Sequence, residues 1–396
     1  MDLKNTSPFF FFALLISVTK ALDPSCASQS DGSDDLSIIP TYSKCSPFSS
    51  PKTDSLVTIV LNMASKDPTR VNYLSTPVPQ KTTSASIASG QQVLNIANYV
   101  VQLKLGTPSQ LMNIVLDTSN DIAWAPCSGC TGCSSTTFSP NSSSTYGSLE
   151  CSVSECAQAR GLSCPATGST ATLVQDVLRL GKDVIPKYSF GCINSISGGS
   201  IPSQGLLGLG RGSMSLKLGP PGQPKLIRTT PLLRNPRRRS LYYVNLTGIS
   251  VGRVLVPISP ELLAFNPNTE AGTIINLGTI ITRFVPPVYT ALRDEFRKQV
   301  KGTFSSLGAF DTCFSATNEV VAPTITLQFT GLKLTLSSEN SLIHSSSGSL
   351  ACLAMTVAPN NVNSVLNVIA NLQQQNLRIL FDVANSVVGI ARESCN

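Results

Sequence analysis

The chain has 396 residues, 41% of them hydrophobic and 13% charged, enough for two lobes with cores of their own. A formal charge of +7 is mild for that length, and the densest basic run, Arg234, Arg237, Arg238 and Arg239, carries no recognition motif. Composition therefore argues against a nucleic-acid partner, and the arginine run is expected to be a solvated surface loop.

Residues 1–21 read as a secretory signal peptide: Lys4 precedes the apolar residues 9–18, and Thr19-Lys20-Ala21 supplies a small-residue cleavage site. The apolar run is too short for a membrane span and none as long follows, so no membrane anchor is expected. Residues 22–90 are polar and rich in Ser, Pro and Thr, with one amphipathic stretch at 55–66, and read as a propeptide. Two sequons, Asn141-Ser142-Ser143 and Asn245-Leu246-Thr247, make Asn141 and Asn245 the expected glycosylation positions. The expectation is a monomeric glycoprotein exported as a zymogen to the extracellular space, apoplast or cell wall.

The β-branched and Gly/Pro content favours many short strands over long helices, and two β-lobes are expected, at 91–237 and 238–396. Tyr99, Val101, Leu103 and Leu105 alternate with Val100, Gln102 and Lys104, the period of a half-buried strand. Gly106-Thr107-Pro108 then turns the chain into a strand at 111–116 that ends on Asp117. The loop reads Val115-Leu116-Asp117-Thr118-Ser119-Asn120, aliphatic residues running straight into a tight polar turn, as if a buried strand delivered one carboxyl group to a cleft.

Cys127, Cys130 and Cys133 form C-x2-C-x2-C, and Cys151, Cys156 and Cys164 follow. Such spacing can hold zinc. Exported thiols oxidise, however, so disulfides are expected and no metal. Cys313 and Cys352 are expected to pair with each other; the remaining pairing is not readable from the sequence. Gly208-x-Gly210-x-Gly212 lacks the Lys-Ser/Thr of a phosphate loop and reads as a tight turn. No cofactor is expected.

In the second half, Tyr242, Val244 and Leu246 alternate with Tyr243, Asn245 and Thr247, again as a half-buried strand. Ile274-Ile275-Asn276-Leu277-Gly278-Thr279 then repeats the earlier loop with an amide in place of the carboxyl. Each loop is matched far downstream by an aliphatic pair and a small residue, Leu206-Leu207-Gly208 and Val368-Ile369-Ala370, a weak internal repeat. One helix is expected at 287–300, with Val288, Leu292 and Phe296 on one face.

Two carboxyls facing each other across a cleft share a proton, so one deprotonates a water while the other protonates the substrate oxygen. That is acid–base hydrolysis without a covalent intermediate. Competing mechanisms are poorly supplied, because His344 is the single histidine, sits in a polar run expected at the surface, and no G-x-S-x-G elbow is present.

Taken together, several segments resemble pepsin-type aspartic proteases of the plant nepenthesin-like and nucellin-like branch. They are Tyr99-Val100-Val101 with Gly106-Thr107-Pro108, Asp117-Thr118-Ser119-Asn120 with Trp124 and the Cys127 to Cys133 cluster, and Phe190-Gly191-Cys192. The glycine run 205–212, Gly278-Thr279 and the run 367–376 extend the match to the C-terminus.

The resemblance implies an all-β bilobal fold, two β-barrel lobes with a cleft between them and few short helices. It implies peptide or protein substrates, hydrolysed by activated water. By position, Asp117 matches the first catalytic aspartate and Asn276 occupies the place of the second. Thr118, Ser119, Gly278 and Thr279 would support the active-site loops, with Thr118 as the bracing hydroxyl. Trp124 would pack in the core and cleft wall.

Three departures from the pattern point toward impaired hydrolysis, or toward an inactive binding or inhibitor-like protein. Asn276 cannot share a proton. Leu277 stands where the family has Ser or Thr and cannot return the bracing hydrogen bond. Residues 165–173 are too few for the flap hairpin and contain no tyrosine, and a further contraction follows Leu216.

Overall fold

The computed structural model describes residues 38–40, 60, 61, 64, 65, 67, 68, 71, 99–149, 171–181, 183–196, 202–212, 214–216, 227–317, 322–345, 347–359 and 365–392. Residues 1–21 read as a signal peptide, most of the 22–90 segment, Cys151, Cys156, Cys164, residues 165–170 of the stretch too short for a flap, and the residues after Leu216 where a contraction is expected lie outside them.

Among the described residues the first half is built on eight strands. Their order across the sheet is Ile38–Pro40, Tyr99–Leu105, Gln110–Asp117, Leu206–Gly208, Ala123–Thr131, Asp183–Ser195, Ala171–Leu180 and Gly147–Ser148. A further pairing of Tyr99–Leu105 with Ala171–Leu180 closes the six middle strands into a barrel. Its inward residues, among them Val101, Leu103, Ile114, Leu116, Phe138 and Phe190, form one core. As the alternation predicts, Gln102 and Lys104 are exposed while Val101, Leu103 and Leu105 are buried; Val100 is buried as well.

In the second half the described strands fall into three sheets. The largest runs Met355–Val357, Thr282–Phe284, Leu366–Ile369, Gly272–Ile275, Tyr242–Val244, Arg228–Leu233, Val387–Arg392 and Leu377–Asp382. Two four-stranded sheets accompany it, one around Leu246–Val251 and Ile325–Phe329, the other around Phe310–Ser315 and Leu350–Leu353. The helix expected at 287–300 spans Pro286–Gln299 and buries Val288, Tyr289, Leu292 and Phe296. Proline occupies its first turn and Arg297 and Lys298 its last, both favourable placements. The architecture is the all-β, bilobal one with few helices.

Three bridges stand among the described cysteines: Cys127–Cys192, Cys130–Cys133 and the expected Cys313–Cys352. Cys192 was not among the expected disulfide residues. It becomes a partner because the strand Asp183–Ser195 runs beside Ala123–Thr131, placing Cys192 opposite Ala125 and two residues from the Cys127 register.

Two local expectations are corrected. Tyr243 does not face solvent: the stretch splits into Tyr242–Val244 and Leu246–Val251, and the first strand is buried on both faces. Its hydroxyl donates to the Glu270 carbonyl at 3.1 Å, which settles the polar end of a fully buried ring. Nor is the arginine run wholly solvated. Arg238 turns inward to pair with Glu270 at 2.6 Å, while Arg234, Arg237 and Arg239 stay exposed.

Candidate active site

Asp117 closes a strand that must run through the barrel core, since Ile114, Val115 and Leu116 are all buried. The last residues lie parallel to Leu206–Gly208, with Leu116 opposite Leu207 and Asp117 opposite Gly208. The Leu209 amide donates to the Asp117 carbonyl at 2.8 Å and ties the loop down. The second half repeats the device. Ile275 lies opposite Ile369 in a parallel pair, and the Asn276 amide donates to the Ile369 carbonyl at 3.0 Å. The aliphatic pairs of the internal repeat are thus the strands that hold the two loops.

Both loops deliver their polar residue to one place. Asn276 Nδ2 lies 3.5 Å from Asp117 Oδ1, with both side chains buried, Asp117 at 2% exposure and Asn276 at 0%. The carboxylate also receives the Ser119 amide at 2.8 Å and the Ser119 hydroxyl at 2.6 Å on Oδ1, and Asn120 Nδ2 at 2.7 Å on Oδ2. All four groups are donors, a set that suits an anion and offers no second acid. On the opposite side, Asn276 Oδ1 and Thr279 Oγ1 are buried without a hydrogen-bond partner among the described residues.

The bracing between loops is one-sided. The Leu277 amide donates to Thr118 Oγ1 at 3.1 Å, and the leucine side chain has nothing to return. Support for the second loop comes from the 3-10 turn Asn371–Gln374 instead. Asn371 Nδ2 donates to the Leu277 carbonyl at 3.1 Å, and the Asn371 amide donates to the Thr279 carbonyl at 2.9 Å. Gln374 Nε2 spans the Asn276 and Ile369 carbonyls at 3.1 and 3.0 Å. Sequence reasoning missed Asn120, Asn371 and Gln374 as site residues. Four consecutive polar or amide-flanked positions buried in one short turn are recognisable only once their burial is known.

Gly278 is required by close approach. A Cβ there would lie 2.8 Å from the Asp117 carboxyl carbon. Trp124 packs with Ile122, Leu173 and Met214, and its ring covers Gly191, where a Cβ would come within 2.8 Å of it. Gly208 to Gly212 form a turn around the Asn120-Asp121 backbone, with Gly210 donating to the Asn120 carbonyl at 2.7 Å and Gly212 to Asp121 Oδ1 at 2.8 Å. His344 ends the strand Leu342–His344 and is half-buried there. Asn141 is exposed in the turn Pro140–Ser142, while Asn245 is half-buried with Nδ2 donating to Thr330 Oγ1 at 2.8 Å.

The arrangement has one group that can accept a proton and one amide that can only donate a hydrogen bond. A water beside Asp117 could be deprotonated, and Asn276 Nδ2 could polarise a carbonyl. Ser119, Asn120 and Asn276, the residues that donate to Asp117 here, bring it no second carboxyl to hand a proton to the substrate.

Two family models match in succession: residues 99–218 fit one described as xylanase inhibitor N-terminal, and residues 241–392 fit one described as xylanase inhibitor C-terminal. Aspartyl protease AED3 of Arabidopsis thaliana is 57% identical, with 98% of each chain covered. This chain belongs to the pepsin-type aspartyl protease family. Another family member, aspartyl protease 25 of Oryza sativa subsp. japonica, is 46% identical over 87% of this chain and 93% of its own. Aspartic proteinase nepenthesin-1 of Nepenthes gracilis is 30% identical over 75% of this chain and 78% of its own.

The family fold recurs in the crystal structure of conglutin gamma, a basic 7S globulin from lupine seeds. Its TM-score is 0.59 at 16% identity, covering 78% of this chain and 95% of the globulin. The alignment with the AED3 aspartyl protease runs over 442 positions, more than the 396 residues of this family member, so the relative carries segments that are absent here.

Proposed function

We propose that this aspartyl protease homologue takes extended polypeptides into its cleft and hydrolyses them only slowly. Asp117 serves as the general base on water, and Asn276 serves as a hydrogen-bond donor in place of the second acid. The contact of Asn276 Nδ2 with Asp117 Oδ1 carries this reading, because it puts a neutral amide where proton exchange needs a carboxyl. Loss of one acid–base partner costs on the order of 10²–10⁴ in rate. The absence of a tyrosine in residues 165–173 supports a cleft without the family's closing flap.

The decisive measurement is cleavage of a denatured protein across the acidic range by the purified parent, Asn276→Asp and Asp117→Ala. Slow parental cleavage, abolished by Asp117→Ala and raised about 100-fold or more by Asn276→Asp, is the expected result. A parent as fast as Asn276→Asp would defeat the proposal. A second reading, a non-catalytic protein that binds another enzyme, draws on the xylanase-inhibitor descriptions of the two matching family models. Inhibition of a xylanase by the Asp117→Ala variant would support it.

Export supports the same picture. The signal-like residues 1–21, the disulfides and the exposed sequon at Asn141 suit an extracellular glycoprotein, with Asn141 the better placed acceptor.

A further inference from the structure

The described positions between 60 and 71, inside the segment read as a propeptide, are built into the core of the second half. Val60, Ala64 and Val71 have no exposed surface, and Asp67 is 3% exposed. Val60 and Ala64 join Ile280, Ile281, Phe310, Leu372 and the Cys313–Cys352 bridge in one apolar cluster. Val71 joins a second, with Tyr243, Ile274 and Val368. Leu61 reaches Gly308, where a Cβ would lie 2.5 Å from its Cδ2 and where φ is +59°. A side chain at 308 would be strained in any case, and Leu61 fills the room its absence leaves.

Polar contacts fix the same positions. Asp67 accepts the Ile280 amide at 3.3 Å and the Ile281 amide at 3.1 Å, two buried donors just past the Asn276 loop. Arg283 is nearly as buried. Its Nη2 donates to the Ala64 carbonyl at 2.8 Å, its Nη1 to the Val357 carbonyl at 3.1 Å, and its Nε lies 3.8 Å from Asp67 Oδ2. Discarding residues 60–71 would strip Arg283 of this counter-charge, leave two buried amides without their acceptor and open both clusters to water.

We propose that Val60, Leu61, Ala64, Asp67 and Val71 are permanent parts of the second lobe, held by Asp67, so that cleavage within 72–98 leaves a two-chain protein rather than releasing a propeptide. The segment is a retained light chain whose binding face is the strand Thr282–Phe284 and the residues leading into it. Peptide-bond hydrolysis within 72–98 consumes one water and creates a new carboxylate and a new amine, neither of which takes part in the contacts above.

The test uses the full-length protein with a recognition sequence for a site-specific protease replacing residues 84–89. After complete cutting, gel filtration and intact-mass measurement should find the fragment bearing residues 60–71 co-eluting with the remainder. Cutting the Asp67→Ala version should release it at concentrations about tenfold higher or more, since a buried charge loses its partner. If Asp67→Ala is not secreted, Leu61→Ala removes the Gly308 contact without touching the charge and should weaken retention in the same sense. A fragment that separates from the cut parent overturns the proposal. So does one held equally tightly by the parent and both variants.

Discussion

The Leu277 amide donates to Thr118 Oγ1 at 3.1 Å, and nothing at residue 277 donates back to the first loop. The Asp117 and Asn276 loops are therefore braced at Thr118 by half of a reciprocal pair, with Asn371 holding the Leu277 carbonyl from behind. Thr118→Val keeps the shape and removes the acceptor. It should cost about 0.5–1.5 kcal/mol, the net worth of a hydrogen bond at a half-buried amide, and lower Tm in differential scanning calorimetry. Leu277→Thr should restore the missing half and raise Tm. An unchanged Tm in Thr118→Val would show that the loops are held by the Asn371 turn alone.

Gly278 faces the Asp117 carboxyl so closely that an added Cβ would sit 2.8 Å from its carbon and 2.8 Å from Oδ1. Gly278→Ala must push the carboxylate off the Ser119 and Asn120 donors or shift the second loop. Overpacking of this kind costs about 1–3 kcal/mol. Any cleavage that depends on Asp117 should fall to the level of Asp117→Ala, measured on the same denatured substrate. Asn276→Asp, combined with Gly278→Ala, should fail to recover activity, because both carboxyls would then be misplaced.

Much of this site was legible because its chemistry is local. Aliphatic residues running into a polar turn marked Asp117 and Asn276, and the two downstream aliphatic pairs turned out to be the parallel strands that hold them. What the sequence did not disclose depends on partners far apart along the chain. Cys192 pairs with Cys127 only because two strands run side by side. Asn371 and Gln374 act through backbone carbonyls, which carry no residue-specific signal. Tyr243 was placed outward by alternation, and that rule fails in a strand covered on both faces. Arg238 belongs to an exposed basic run yet turns inward, because its partner Glu270 lies in another loop.

Acid stability should depend on Asp311. Burial alone would raise its pKa, but hydrogen bonds from Tyr289, Thr312 and Arg293 outweigh it and hold the carboxyl below the usual aspartate range. A carboxyl depressed in the folded state stabilises above its unfolded pKa, and that contribution disappears as pH falls through the folded value. Asp311→Asn should therefore lower Tm at neutral pH, and the deficit should shrink once pH drops below the ordinary aspartate range. A deficit that persists undiminished in strong acid would show that packing, not charge, is the cause.

Alkaline behaviour should report on Tyr242, which joins the two halves of the protein. Its hydroxyl donates to the Leu209 carbonyl at 2.6 Å, and the ring lies against Phe381 with centroids 4.2 Å apart. Burial pushes its pKa up to about 12, with Asp121 adding to the shift and Arg211 opposing it. A phenol with a raised folded pKa gives stability that is complete below the unfolded value, about 10, and is lost as pH climbs through the folded one. Between those two values the parent should lose Tm steeply, because the phenol ionises in the unfolded chain while the folded hydroxyl still holds its proton and its bond to Leu209. Tyr242→Phe should start about 1–2 kcal/mol less stable, because the hydrogen bond is gone, and should lose less across the same alkaline range. Calorimetry of both proteins through that range decides the matter. Parallel losses in parent and variant would assign alkaline unfolding to other groups.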